Sequence, residues 1–114
     1  MGLDSFASRS PGSIALTPKD KAVFKSLDLP LCEWIGDGSF RGKVYILLVY
    51  EVCDTSLSQE WIPPEELGRM ADAFAACDVE AVAQKEDCRP EEVRALGLLF
   101  GVCAERGLGL IGWF

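Results

Sequence analysis

Lys43-Val44-Tyr45-Ile46-Leu47-Leu48-Val49-Tyr50-Glu51-Val52-Cys53 is the stretch on which the fold turns. Its β-branched and aromatic content suits a buried strand. An Asp37-Gly38 turn would then pair it with residues 31–35 as a hairpin. A run of this length, followed by Asp54 and Thr55, equally suits a buried helix. Periodicity does not separate the two, so both readings of residues 43–53 stand at this point.

Outward from this stretch the signals sharpen. Upstream, Gly36-Asp37-Gly38-Ser39-Phe40-Arg41-Gly42 reads as a loop. Thr17 can cap a helix, with Pro18 in its first position and Asp20 completing a capping box. Val23, Phe24 and Leu27 form its apolar stripe, and Pro30 stops it. Residues 1–16 are rich in Ser, Gly and Pro, and Leu3 and Phe6 could anchor a short edge strand.

Downstream, residues 56–62 alternate, with Leu57, Gln59 and Trp61 on one side, as a short strand does. Pro63-Pro64-Glu65-Glu66 opens a helix with proline at its start and acids in its first turn. Leu67, Met70, Ala71, Phe74 and Cys77 follow at helical spacing, and residues 79–86 add a loose turn or two. Pro90-Glu91-Glu92 opens the last helix, with Val93, Leu96, Phe100 and Cys103 on its apolar stripe. Arg106 and Gly107 close it. Residues 108–114 read as a final strand that would bring Trp61 and Trp113 into one sheet. The predicted fold is α+β: about four helices packed on a small, mainly antiparallel sheet from residues 2–8, 56–62 and 108–113. Residues 1–114 are expected to form one domain.

The 114 residues include no histidine. The usual general base near neutral pH, the commonest transition-metal ligand and every Ser/His or Cys/His nucleophile pair are therefore missing. The net charge is −7. Residues 63–106 carry ten acids and five bases, whereas residues 1–62 carry eight and six. With no basic cluster, neither nucleic acid nor an anionic membrane is an expected partner. The longest apolar run, Val44 to Tyr50, is too short to span a bilayer, which takes about 20 helical residues. Met1-Gly2 resembles a myristoylation start, but Phe6 stands where that motif needs Ser or Thr. With five cysteines, no C-x-x-C and no signal peptide in the sequence, free thiols in the cytoplasm are expected. No metal site or cofactor is expected.

Several motifs have simpler explanations. Gly107-Leu108-Gly109-Leu110-Ile111-Gly112 spells G-x-G-x-x-G, but that mechanism needs a strand before it and a helix after it. Here a helix precedes, and the glycines suit a helix stop and a terminal strand. Gly36 to Tyr45 resembles a kinase phosphate loop with one residue too many, and the other kinase motifs are missing. Glu65-Glu66 and Glu91-Glu92 are acids in first helical turns, where they complement the helix dipole. Cys88 is the candidate reactive thiol. A helix start and Arg89 favour its thiolate, while Glu86 and Asp87 oppose it. The other four cysteines read as small core residues. Arg41, Lys43, Gln59, Glu60 and Trp61 are the candidate binding residues, because charged and aromatic side chains close together suit recognition. The competing reading puts Trp61 in the core, with Glu60 paired to a neighbouring cation.

The chain resembles a group of small, uncharacterised bacterial proteins. The resemblance lies in Met1-Gly2-Leu3-Asp4-Ser5-Phe6-Ala7-Ser8-Arg9, Ser39-Phe40-Arg41-Gly42-Lys43-Val44-Tyr45, Gln59-Glu60-Trp61-Ile62-Pro63-Pro64 and the stretch from Ala104 to Trp113. It implies a bacterial cytoplasmic origin and no mechanism. The group is more polar in the stretch matching residues 46–50. That tilts residues 43–53 toward helix and marks their apolar content as a departure suited to an added interface. The expected function is a non-enzymatic binding module for a protein or small ligand, with a homodimer left open. The alternative is a small histidine-free enzyme using Glu60 as its carboxylate and Arg41 as an anion clamp.

Overall fold

The undecided stretch is helical. The computed structural model describes residues 3–12 and 15–113. Met1, Gly2 and Phe114 lie outside the described residues, and with them the first residue expected of the N-terminal strand and the last expected of the C-terminal one. Gly42–Tyr45 form a 3-10 turn that runs into helix α2, Ile46–Cys53. Tyr45, Leu48 and Val49 are buried, while Val44, Leu47 and Tyr50 are exposed. Both sides of this segment are apolar, so its helical period is invisible in the sequence. Asp54 ends α2 in the left-handed conformation, with its N–H donating to the Tyr50 carbonyl at 2.8 Å.

The architecture is α+β. Strands β1 (Asp4–Ser8), β2 (Ser39–Phe40), β3 (Trp61–Ile62) and β4 (Gly109–Trp113) form an antiparallel sheet in the order β2-β1-β4-β3. Three expectations need correction. First, β1 is an inner strand, flanked by β2 and β4. Second, Asp37-Gly38 makes no hairpin with residues 31–35. Asp37 instead accepts from the Ser39 N–H, and β2 pairs with β1. Third, only Trp61 and Ile62 of residues 56–62 join the sheet. Within that stretch Ser58 N–H donates to Ser56 Oγ and Gln59 N–H to the Leu57 carbonyl. These local bonds compete with the ladder.

Five α-helices lie among the described residues, against about four expected. Besides α2 they are α1 (Pro18–Ser26), α3 (Pro64–Ala76), α4 (Val79–Lys85) and α5 (Pro90–Glu105). The stretch expected to give loose turns is the extra helix. Asp78 caps α4 by accepting from Ala81 N–H at 3.2 Å. The α1 capping box forms as expected between Thr17 and Asp20. In α5, Glu92 accepts from Arg89 N–H at 3.2 Å.

Helices α3 and α5 pack tightly. A Cβ at Gly97 would stand 2.9 Å from that of Phe74, and the Phe74 and Phe100 rings meet edge to face at 5.5 Å. Gly107, at φ +70, turns the chain from α5 into β4, as a C′ glycine does. Leu3, Ala7, Phe40, Ile62 and Leu110 join the buried helical side chains in one core. Cys103 belongs to it, whereas Cys32 is exposed and corrects the expectation of four core-like cysteines.

Asp20 is also the buried charge that closes the fold. It has no solvent exposure. Arg9 donates to both of its oxygens at 2.8 Å, and Arg106 donates to Oδ1 at 2.9 Å. This ties the loop after β1, the first turn of α1 and the end of α5.

Candidate functional site

Residues directly opposite on paired strands point to the same face of a sheet. Trp61 stands opposite Ile111, Ile111 opposite Phe6, and Trp113 opposite Asp4. These side chains share the face turned away from the core. Trp113 is 62 % exposed, Phe6 and Trp61 are half-buried, and Ile111 is buried. The Phe6 and Trp113 rings meet edge to face with centroids 6.3 Å apart. The Trp61 indole lies across Gly109, where a Cβ would come within 2.6 Å of Cη2. A glycine in the strand is what allows this close approach.

Toward β2, Asp4, Phe6, Glu33, Ser39 and Phe40 line a small cleft of about 140 Å³. Arg41 sits beside it, with Nη1 3.8 Å from both the Asp4 and Glu33 carboxylates. Ion pairs this long and exposed contribute little stability, about 0–1 kcal/mol.

The comparisons with known proteins find no match: no family model, no curated protein and no solved structure.

The sheet order divides the five candidate binding residues into two groups. Arg41 and Lys43 follow β2, whereas Gln59 and Glu60 lead into β3, which Trp61 begins. These are opposite edges of the sheet, with β1 and β4 between them. At the usual strand spacing the edges are about 14 Å apart. The Lys43 side chain is exposed, and its N–H donates to the Leu3 carbonyl at 2.9 Å. Gln59 is exposed, with its side-chain amide donating to the Ser56 carbonyl at 2.7 Å. Glu60 is exposed, and its carbonyl accepts from Gly112 N–H. A clamp that joins Arg41 to Glu60 would have to reach across the whole sheet.

Phe6, Ile111 and Trp113 were missing from the candidate residues although they complete the face around Trp61. Residues 4–6 and 109–113 carry no polar-apolar alternation, so this face emerges only from the pairing of β1 with β4.

Cys88 is half-buried, and its N–H donates to the Ala83 carbonyl at 3.0 Å. Burial pushes its thiol pKa up, and Glu92, Glu86 and Asp87 push it further. That is the direction opposite to thiolate activation. Among the described residues no group of three or more Cys, Asp or Glu side chains is placed to hold a metal ion. Also among them, no helix is long and apolar enough to cross a membrane.

Proposed function

We propose that this protein is a non-enzymatic binding module whose partner lies on the outer sheet face. Trp61 is the central anchor, Phe6 and Trp113 extend the aromatic surface, and Arg41 and Glu60 mark its two edges. The observation that carries this reading is the Trp113 indole, 62 % exposed and edge-on to Phe6 on the outer sheet face. Aromatic side chains held by a rigid sheet provide large contact area at a small entropic cost. For that reason Trp and Tyr dominate binding hot spots. Asp4, Glu33 and Glu60 around the aromatics suit a protein partner with cationic residues at its rim. Five free thiols favour a reducing cytoplasm as its setting.

The test compares the wild-type chain with Trp61→Ala/Glu60→Ala and with Trp113→Ala, each immobilised in folded form. Circular dichroism and thermal melting establish folding beforehand. The wild type is expected to retain one partner in stoichiometric amount, with both variants folded and unable to hold it. Variants that stay folded and retain the same partner equally well overturn the assignment. Trp113→Ala serves as the independent check should loss of Trp61 unfold the chain.

A further inference from the structure

Among the described residues, six large hydrophobic side chains stand exposed, and three of them, Val44, Leu47 and Tyr50, share one face of the α2 segment. They are 57 %, 76 % and 55 % exposed. Residues three apart on a helix form a continuous stripe. Lys43 stands at the amino end of the stripe, with Glu51 and Asp54 at its carboxyl end, all three exposed. Glu51 also holds Lys85 of α4 as an exposed ion pair.

We propose that this face is covered by a second copy of the chain, packed antiparallel about a two-fold axis at Leu47. The argument is self-complementarity. A two-fold contact brings a patch against itself in reverse order. Leu47 then meets Leu47 of the other copy, Val44 comes toward Tyr50, and the Lys43 end lies over the Glu51 and Asp54 end. Cation faces anion at both ends of the contact. The partial charges of the helix termini also oppose favourably.

The same charges argue against other occupants. A basic partner meets Lys43 at one end of the stripe. An anionic bilayer meets Glu51 and Asp54 on a chain of net charge −7. Three apolar side chains make a modest contact beside the roughly 1,200 Å² of total buried area typical of stable complexes. The dimer is therefore weak and concentration-dependent. It uses a surface separate from the outer sheet face, so either assignment can fail without the other.

Sedimentation equilibrium between about 10 μM and about 1 mM spans this affinity range. The weight-average mass of the wild type is expected to rise with concentration from 12.4 kDa toward twice that value. Leu47→Glu and Tyr50→Ser, both at exposed positions, should keep their circular dichroism and melting temperature and stay monomeric. Lys43→Glu should weaken association about fivefold, as an exposed charge pair does. Lys43→Glu/Glu51→Lys should restore most of the loss. A wild type that stays monomeric throughout overturns the proposal. So does a dimer indifferent to Leu47→Glu, or a double variant that regains nothing. Leu47-dependent co-sedimentation of a monomeric wild type with phosphatidylglycerol vesicles would overturn it in favour of a lipid surface.

Discussion

Arg106 reaches back across 86 residues of chain to donate to Asp20 at 2.9 Å, inside the first turn of the first helix. Arg9 donates to both oxygens of the same carboxylate. Asp20 is therefore both a helix-capping residue and the anchor that fixes the end of α5 against the start of the fold. A buried carboxylate is tolerable because every lone-pair direction meets a donor.

Asp20→Asn keeps the shape and removes the charge that both guanidiniums face. The two guanidiniums left behind are partly exposed, so the expected cost is about 1–3 kcal/mol. Urea unfolding at neutral pH is the measurement, and a loss under about 1 kcal/mol would contradict the role assigned to Asp20.

The same carboxylate sets an acid limit. Burial alone would raise its pKa, but the hydrogen bonds from Arg9, Thr17 and Arg106 outweigh that and hold it well below its ordinary 3.8. As pH falls, the unfolded chain takes up this proton first. The stabilisation is thus complete above about pH 5 and drains away progressively through the acid window below it. Glu92 shifts in the same direction. Urea midpoints measured across this window should fall steeply for the wild type and less steeply for Asp20→Asn.

Tyr45 is buried, donates to Glu92 at 2.5 Å and accepts from Cys32 N–H at 2.9 Å. Burial would raise the Glu92 pKa, but the Tyr45 hydroxyl and the Arg89 N–H bring it below its ordinary 4.5. Tyr45→Phe should cost about 1–3 kcal/mol, the worth of hydrogen bonds to a charged group. It should also move the Glu92 pKa upward in a carboxyl-carbon NMR titration. An unmoved Glu92 titration would show that the hydroxyl does not control it.

The helix starts were legible because capping is local chemistry: Thr17-Pro18 with Asp20, and Pro90-Glu91-Glu92, carry their own instructions. Residues 43–53 were not, because α2 presents Leu48 and Val49 to the core and Leu47 and Tyr50 to solvent, which erases the polar half of the pattern. The grouping of Arg41 with Glu60 depended on strand order, a non-local property that no short motif encodes. Trp61 stands on the outer sheet face, but its neighbours Phe6 and Trp113 are far from it in sequence, one on β1 and one on β4. The distant role of Asp20 was hidden behind its local one, since a capping aspartate looks the same whether or not two arginines reach it.

Three glycines should respond differently to alanine. At Gly109 the new methyl would meet the Ile62 carbonyl oxygen and the Trp61 ring. At Gly97 it would press on Phe74 Cβ at 2.9 Å. Both changes overpack a tight contact and should cost about 1–3 kcal/mol. At Gly101 the methyl would find Ala71 Cβ at an ordinary 3.8 Å, inside a helix. That substitution should stabilise by up to about 1 kcal/mol. Chemical denaturation of the three variants checks the ranking, and a Gly109→Ala variant as stable as wild type would mean that Trp61 does not lie against β4.

The five thiols should separate by rate of alkylation. Cys32 is exposed, whereas Cys53, Cys77 and Cys88 are half-buried and Cys103 is buried. Burial pushes Cys53 and Cys103 up to about 12 and raises Cys77 and Cys88 as well. The nucleophile is the thiolate, so access favours Cys32, while the raised pKa values hold back the other four. Brief treatment of the native chain with iodoacetamide near pH 8, read by peptide mass spectrometry, should label Cys32 first. Cys88 should follow slowly, and Cys103 should react only once the chain unfolds. Labelling of Cys88 ahead of Cys32 would mean that the helix start and Arg89 activate it despite Glu86, Asp87 and Glu92, and a thiol switch at that position would then have to be taken up.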